Sequence, residues 1–150
     1  MSTQAPTNQV KLSVLSLSEN VGFARLSAAA FASQAELTIN EIEEIKVAVS
    51  EAVSNAVIHG YGKLNQKQDN YVEIVMTLYQ DRIDFVISDY GRGIADVEAA
   101  RQPSYSSDPE RMGLGFVFME SFMDSLAVVS TLGQGTTVTM SKKFTAKTSH

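Results

Sequence analysis

Hydrophobic and polar positions divide the chain into strand-like and helix-like segments. Strict alternation predicts strands, because successive side chains of a strand point to opposite faces of a sheet. Strands are predicted at Val10–Leu17, Tyr71–Tyr79, Arg82–Asp89, Leu126–Leu132 and Thr136–Phe144. Short links at Gln80–Asp81 and Gly133–Gly135 should join the second strand to the third and the fourth to the fifth as antiparallel hairpins.

Apolar residues at spacings of three and four predict a long helix from about Asn40 to Tyr61. Thr38 and Glu41 form a capping box at its start, and Gly60 and Gly62 are expected to end it. Its apolar stripe consists of Ile42, Ile45, Val49, Ala52, Val53 and Ala56. This stripe should anchor the helix on a core and leave its flank for polar side chains.

Three further helices follow from weaker patterns. One is predicted from Glu19 to Gln34, with Ser18 as its cap. Its apolar contacts are expected to be Val21, Phe23, Leu26 and Phe31. Asp96 should cap a short helix that reaches Ala100, and another helix should open at Gly113.

Composition narrows the class of protein. A chain of 150 residues with 44% apolar residues is expected to form a single domain with a real core, flanked by disordered tails at 1–8 and 145–150. The chain contains no cysteine, which excludes disulfides and cysteine nucleophiles, and only two histidines, which disfavours a histidine metal site. A net charge of −5 argues against direct nucleic-acid binding. The sequence shows no membrane-spanning run or signal peptide, so we expect a cytoplasmic protein without membrane contact.

A carboxylate and a carboxamide stand out on the longest helix. Glu51 and Asn55 are one helical turn apart, so their side chains project from the same face. This pair suits a divalent cation or a phosphate ester. Such a pair is also common on a solvated helix face, so the residues downstream have to decide between the two interpretations.

Six of the nine glycines form three Gly-x-Gly units, at Gly91/Gly93, Gly113/Gly115 and Gly133/Gly135. The first unit follows a strand that ends at Asp89, whose carboxylate could accept a hydrogen bond from an adenine amino group. The second lies at a helix N-terminus, where free amides favour phosphate. The third is equally well explained as a hairpin turn. The set matches neither the dinucleotide fingerprint nor a Walker A motif.

Taken in order, these residues resemble the N, G1 and G2 boxes of the GHKL ATPase and kinase superfamily. The matching stretches are Glu51-x-x-x-Asn55, Asp89-x-Gly-x-Gly-Ile94, Gly113-Leu-Gly-Phe116 and Gly135-Thr-Thr137. The resemblance implies the Bergerat ATP-binding fold. This is an α/β (α+β) two-layer sandwich, with a mixed, largely antiparallel sheet and helices on one face.

More narrowly, the chain resembles the anti-sigma-factor serine kinases of spore-forming bacteria. Glu51–Tyr61, Glu98–Pro103 and Met119–Asp124 carry this likeness, which extends from about Leu12 to Lys143. The lid tract Ser104–Pro109 departs from the family pattern.

The resemblance assigns roles to the site residues. Asn55 would bind Mg²⁺, and Asp89 would receive the adenine amino group with support from Thr136 or Thr137. Gly91, Gly93 and Ile94 are assigned to the nucleotide pocket, and Gly113, Leu114, Gly115 and Phe116 to the phosphates. Glu51 would act as the base, and Arg111 would place its guanidinium near the γ-phosphate. Glu51→Ala is therefore expected to bind nucleotide but transfer phosphate poorly, whereas Asn55→Ala should lose Mg-ATP.

The implied function is inhibition of a sigma factor, most simply of the sigma F type, together with serine phosphorylation of an anti-anti-sigma partner. ATP or ADP and Mg²⁺ would be the cofactors. A homodimer through the first strand and helix is implied as well, with Arg25 as a candidate partner contact.

Other functions stay open at this point. One alternative is a nucleotide-gated binding protein with little phosphotransfer, and another is a general-stress type of anti-sigma factor. An ATP-hydrolysing switch is disfavoured because such machines carry large transducer domains. A sensor histidine kinase is disfavoured because the chain shows no separate phosphoacceptor hairpin, and His59 is assigned to packing or support of the metal motif.

Overall fold

The computed structural model describes residues 4–61, 70–101 and 112–145, which form a five-stranded sheet layered with helices. The strands are β1 (Asn8–Leu15), β2 (Tyr71–Leu78), β3 (Arg82–Asp89), β4 (Ser125–Thr131) and β5 (Gly135–Lys143). Their order in the sheet is β1-β2-β3-β5-β4, and all four pairings are antiparallel. The predicted α+β sandwich is confirmed.

Four α-helices accompany the sheet in the described residues: α1 (Glu19–Ala32), α2 (Ile39–Asn55), α3 (Val97–Ala100) and α4 (Met112–Phe122). The capping box of α2 is present, since Thr38 Oγ1 accepts from the amide of Glu41 and the amide of Thr38 donates to Glu41 Oε1. Asp96 caps α3 by accepting from the amide of Ala99. Within these ranges, each helix is too short or too polar to cross a membrane.

The end of α2 differs from the sequence prediction. The α-helix stops at Asn55, and the chain continues as a π-helical segment over Ala56–Tyr61. The wider π turn carries Gly60 within it, so Gly60 does not end the helix as predicted. Gly62 lies outside the described residues. The π-helix is rare, occurs mostly as single turns within helices, and is frequent at functional sites.

The core lies between the sheet and α2. Alternate residues of β3 are buried on the helical side, as period-two patterning requires. They are Ile83, Phe85 and Ile87. On α2 the buried residues are Ile45, Ala48, Val49, Ala52 and Val53. In the helical layer α2 packs against both α1 and α4, so both flanking helices are positioned by it.

The first helix corrects the predicted contacts. Phe23 and Leu26 are 54% and 64% exposed, whereas the buried residues of α1 are Ala24, Ala28, Phe31 and Ala32. Of the four predicted contacts, Phe31 is buried and Val21 packs partly buried against the core, while three alanines complete the buried face. Ser18 occupies the N-cap position, but its side chain makes no capping hydrogen bond, so the predicted side-chain cap is absent.

The first strand begins earlier than the predicted Val10. Asn8, assigned to a disordered tail, begins β1, and the preceding Thr7 amide donates to the carbonyl of Leu78 at 2.7 Å. The chain is therefore ordered at the sheet edge before the alternating pattern starts.

Lys142 on β5 connects this strand to the helices α2 and α4. It is 7% exposed, and its Nζ donates to Glu44 Oε1 on α2 at 2.9 Å and to the carbonyl of Phe122 at 2.6 Å. Both acceptors would lose their donor if this ammonium were removed. Lys142 thus holds the C-terminal end of α4 against α2 and β5.

Replacing Lys142 with methionine should lower the free energy of unfolding by roughly 2 kcal/mol, because hydrogen bonds to charged groups are lost in a buried setting. Urea denaturation measures this difference. Lys46→Met is the matched control, since Lys46 pairs with Glu43 on the surface of α2 at 3.1 Å and surface pairs contribute little. Equal losses in the two variants would contradict the assigned role of Lys142.

Candidate functional site

Glu51 and Asn55 face the first turn of α4. A methyl group added to Gly115 would lie 3.0 Å from Glu51 Oε1 and 3.3 Å from Asn55 Nδ2. A side chain at Gly115 would crowd both polar groups, so glycine allows this close approach of the α4 backbone. The predicted juxtaposition on one helix face is therefore present, and the second glycine unit lies directly against it.

The buried end of β3 supplies the second part of the site. Asp89 is 5% exposed, and its carboxylate accepts from the amide of Gly91 at 3.0 Å and from the backbone of Thr136. Burial raises the pKa of Asp89 from 3.8 to about 6, and the two backbone hydrogen bonds lower it in part. Asp89 is a desolvated acceptor that titrates near neutral pH.

Two glycines bring backbone onto Asp89. A methyl group at Gly60 would lie 2.6 Å from the Asp89 Cγ, and one at Gly135 would lie 2.1 Å from the Asp89 carbonyl oxygen. Gly135 also has a φ of +116°, which favours glycine. The π-helical segment therefore packs on the carboxylate of Asp89 and the start of β5 packs on its backbone, and a side chain at either position would clash.

The loop after β3 is fixed to the β4–β5 hairpin. Gly93 has a φ of +76°, and its Cα packs on the carbonyl of Thr131. The amide of Ile94 donates to Ser130 Oγ at 2.6 Å, and Ser130 Oγ lies 2.8 Å from Thr136 Oγ1. This network holds the glycine loop beside Asp89.

These elements enclose one cleft with an empty volume of about 370 Å³, including its opening to solvent. The cleft is apolar apart from a few convergent polar groups, as is usual for a small-molecule site. Its lining residues are Ala52, Asn55, Ala56, His59, Gly60, Ile87, Asp89, Gly93, Ile94, Phe116, Thr136 and Val138.

The α4 N-terminus lies against Glu51 and Asn55 and has the chemistry that suits an anion. Gly113 and Gly115 are both buried in its first turn, with Leu114 half-buried between them. The first amides of an α-helix have no intrahelical acceptor, and the helix dipole adds to their attraction for a negative group. Phe116, which follows, is buried and lines the cleft.

The register of β5 against β3 determines which of the two candidate threonines, Thr136 or Thr137, faces the cleft. Thr136 pairs with Asp89 and lies on its side of the sheet, whereas Thr137 pairs with Ser88 and contacts its hydroxyl at 3.1 Å. Thr137 therefore faces the other side of the sheet, and its assignment to the nucleotide pocket was wrong. Successive strand residues cannot both face the cleft.

Two further predictions concern Arg111 and Arg25. Arg111 lies outside the described residues, together with most of the lid Ser104–Met112. Arg25 is exposed on α1. Conversely, sequence reasoning missed Gly60 and Ser130 as parts of the site. Gly60 follows the metal motif directly, but the π turn that brings it to Asp89 has no sequence signature we could use.

The residues present are compatible with Mg²⁺. Asn55 Nδ2 is buried without a hydrogen-bond partner in the described part of the chain, so the carboxamide is not committed to another protein group. Residues 4–61, 70–101 and 112–145 contain no cluster of three acidic, histidine or cysteine side chains that would cage a metal. Mg²⁺ in nucleotide sites takes few protein ligands and keeps water and phosphate oxygens.

A family profile described as histidine kinase-like ATPase domain matches residues 14–142. The chain belongs to the histidine kinase-like ATPase family. This membership confirms the resemblance that the ordered boxes predicted, and the family name implies binding of ATP or ADP.

Relatives of this histidine kinase-like ATPase are anti-sigma F factors. That of Clostridium novyi is 46% identical over 138 residues, which cover 91% of this chain and 94% of the relative. That of Pasteuria penetrans is 46% identical over 141 residues, which cover 93% of each chain. The predicted likeness to anti-sigma factors is thereby confirmed.

Solved structures show the same fold at lower identity. The RsbU and RsbW domains of a Mycobacterium tuberculosis protein align with a TM-score of 0.63 and 19% identity, over 92% of this chain and 32% of that one. A blue-light activated histidine kinase from Erythrobacter litoralis aligns with a TM-score of 0.55 and 17% identity, over 83% of this chain and 59% of that one. These likenesses concern the fold of this histidine kinase-like ATPase.

Proposed function

We propose that the protein is an anti-sigma factor and protein serine kinase, which holds a sigma factor and uses Mg-ATP to phosphorylate a serine of an anti-anti-sigma partner. The observation that carries the kinase proposal is the convergence of Glu51 and Asn55 on Gly115 at the α4 N-terminus. A carboxylate, a metal-compatible carboxamide and the first amides of α4 thus lie next to one another, beside the cleft that contains Asp89.

Each part of the cleft suits one part of ATP. Asp89, when ionised, accepts a hydrogen bond from the adenine amino group, and Thr136 lies beside it on the same face of the sheet. Gly91, Gly93 and Ile94 form the loop along the nucleotide. The amides of the first α4 turn, Gly113 to Phe116, bind the phosphates.

The chemistry is transfer of the γ-phosphoryl group to a serine hydroxyl. Glu51 accepts the hydroxyl proton while the serine oxygen bonds to the γ-phosphorus, and the bond to the bridging oxygen breaks with ADP as leaving group. Asn55 would hold Mg²⁺ through its amide oxygen, and the ion would neutralise charge on the phosphates. Arg111 is proposed to stabilise the same charge, as the family resemblance implies.

The partner assignments rest on similarity and on one exposed surface. The relatives at 46% identity are named anti-sigma F factors, which favours a sigma factor of the sigma F type. Arg25, Phe23 and Leu26 are all exposed on α1. Arginine and aromatic side chains are enriched in protein contacts. A homodimer through β1 and α1, in the cytoplasm, completes the proposal.

Asn55→Ala should weaken Mg-ATP binding by about tenfold or more, because it removes the protein ligand of the ion. In EDTA the variant and the wild type should bind ATP with similar affinities, since the adenine and phosphate contacts persist. Titration calorimetry in both buffers measures the difference. Asn40→Ala, on the exposed first turn of the same helix, is the control. A loss that is independent of Mg²⁺ would contradict a metal role for Asn55.

Phosphate transfer tests the function as a whole. Purified protein is mixed with Mg-ATP and a candidate anti-anti-sigma factor, and phosphoserine is detected by mass spectrometry. A parallel reaction omits the acceptor and records ADP release, and a second measures retention of a sigma F type factor. Phosphoserine on the acceptor supports the kinase. If ATP binds and the sigma factor is retained while no phosphate moves, the protein is a nucleotide-gated binder instead.

A further inference from the structure

Arg92, in the loop after β3, is bonded to the π-helical end of α2 by both its side chain and its backbone. Its Nε donates to the carbonyl of His59 at 2.6 Å, and its amide donates to the carbonyl of Gly60 at 2.8 Å. We propose that Arg92 is a positioning residue that fixes the π-helical segment Ala56–Tyr61 against the glycine loop and so sets the shape of the nucleotide cleft. The inference rests on the proposed function only for the identity of the nucleotide.

The acceptors explain why a charged donor is needed. The last carbonyls of a helix have no intrahelical donor. His59 is 4% exposed, and a buried carbonyl without a partner costs free energy. A guanidinium donor forms a charge-assisted hydrogen bond, which is about twice as strong as a neutral one. Arg92 supplies it from an exposed loop position.

The loop that carries Arg92 is anchored on its other side. The carbonyl of Arg92 accepts from the amide of Gly133 at 2.8 Å, and the neighbouring Gly93 packs on the carbonyl of Thr131. Both contacts join the loop to the β4–β5 hairpin, which belongs to the sheet. Arg92 therefore links the π-helical segment to a support that is part of the rigid core.

The π-helical segment carries two walls of the cleft. Gly60 packs on the carboxylate of Asp89, and His59 lines the cleft beside it. Asn55 is the residue directly before the segment. If the segment relaxed towards a regular α-helix, Gly60 would leave Asp89 and the direction of Asn55 would change. Arg92 thus affects both the proposed adenine acceptor, Asp89, and the proposed metal ligand, Asn55, although it contacts neither.

Two substitutions separate the hydrogen bond from the charge. Arg92→Ala removes both, whereas Arg92→Lys keeps the charge but places a methylene group where Nε stands. Arg82→Ala is the matched control, because Arg82 bonds Asp84 at 3.1 Å and stacks on Tyr79 at the start of β3. The urea midpoint of each variant is recorded to exclude global unfolding.

The first measurement is nucleotide affinity, by displacement of a fluorescent ADP analogue with ADP and with AMP. Arg92→Ala and Arg92→Lys should weaken both nucleotides by the same factor, about tenfold, because a misplaced wall affects the shared adenosine part. The control should bind as the wild type does. Unchanged affinities in Arg92→Ala would overturn the inference. A larger loss for ADP than for AMP would overturn it as well, since Arg92 would then act on phosphate.

The second measurement needs no nucleotide. Hydrogen exchange of the free protein should show amides 56–61 exchanging about tenfold faster in Arg92→Ala and Arg92→Lys than in the control, because the segment has lost its side-chain anchor and keeps only the backbone bond to Gly60. Unaltered exchange in this segment would overturn the inference even if the wild type bound no nucleotide. If both measurements are as expected but no phosphate is transferred, the proposed kinase activity is refuted and the positioning role of Arg92 is still supported.

Discussion

Glu51→Gln should bind ATP and ADP as tightly as the wild type but transfer phosphate about 10²–10⁴-fold more slowly, which is the usual contribution of a general base. Glutamine keeps the length and volume of the side chain beside Gly115. It cannot take up the proton that the serine hydroxyl must release. Binding and chemistry should therefore separate in this single variant.

The geometry supports this separation. Glu51 lies one turn before Asn55, and its Oε1 is the protein atom nearest to the position that a methyl group on Gly115 would occupy. The residues that line the cleft around Asp89 do not include Glu51. A change at Glu51 thus leaves the adenine contacts intact and acts only where the phosphoryl group would be transferred.

Single-turnover phosphate transfer at saturating ATP measures the rate, and calorimetry measures the affinity. Glu43→Gln is the matched control, because Glu43 is an exposed carboxylate on the same helix, paired with Lys46. The assignment of Glu51 as base fails if the rate is within a few fold of wild type. It also fails if nucleotide affinity falls in parallel with the rate, since Glu51 would then be a binding residue.

Helices and strands with strong local sequence patterns were predictable. The site residues that these elements carry were predictable as well. The hairpin of β2 and β3 places Asp89 at a strand end, and the capping box starts α2 one residue before the predicted position. Alternation and capping depend on neighbouring residues, so a single sequence contains them. The i, i+4 spacing of Glu51 and Asn55 likewise follows from the helix alone.

Features that depend on tertiary packing were missed. The exposure of Phe23 and Leu26 follows from how closely α1 approaches α2, which helical periodicity does not reveal. The π turn after Asn55 is stabilised by Arg92, a residue 33 positions away from His59 in the chain. The choice between Thr136 and Thr137 depends on the register of β5 against β3. Each of these needs a partner segment that local patterns do not identify.

Asp89→Asn should abolish most nucleotide binding and yet give a more stable protein at neutral pH. The carboxylate has acceptor sites for the amide of Gly91, the backbone of Thr136 and an adenine amino group. A carboxamide has one oxygen, so its NH₂ group must face one of these donors. We expect the affinity for ADP to fall about 100-fold, as when a buried donor is left without an acceptor.

The nucleotide affinity of the wild type should depend on the protonation state of the Asp89 carboxylate. Because the pKa of Asp89 is raised to about 6, the protonated form becomes dominant below that pH and one acceptor is lost. ADP affinity should therefore fall as pH decreases from 7.5 to 5. In Asp89→Asn the residual affinity should lack this dependence.

The stability gain follows from the sign of the pKa shift. The native state holds the Asp89 proton up to about pH 6, whereas the unfolded chain releases it near 3.8. Stability of the wild type therefore falls as pH rises between these values and stays reduced above them. At about 1.4 kcal/mol for each of the roughly two pH units, the cost of the buried charge is at most about 3 kcal/mol. Asparagine carries no such cost, but it loses part of the backbone hydrogen bonding.

Urea denaturation without nucleotide, at pH 4, 5 and 7.5, measures this difference. Asp89→Asn should be more stable than the wild type by about 1–2 kcal/mol at pH 7.5, and the gap should shrink towards pH 4, where the unfolded chain also begins to hold the proton. Asp84→Asn, on the same strand but on the opposite face, is the control. A gap that does not change with pH would show that Asp89 is not held as a desolvated carboxylate. The expected pattern would mean that the buried Asp89 carboxylate, the proposed adenine acceptor, lowers the stability of the folded protein at neutral pH.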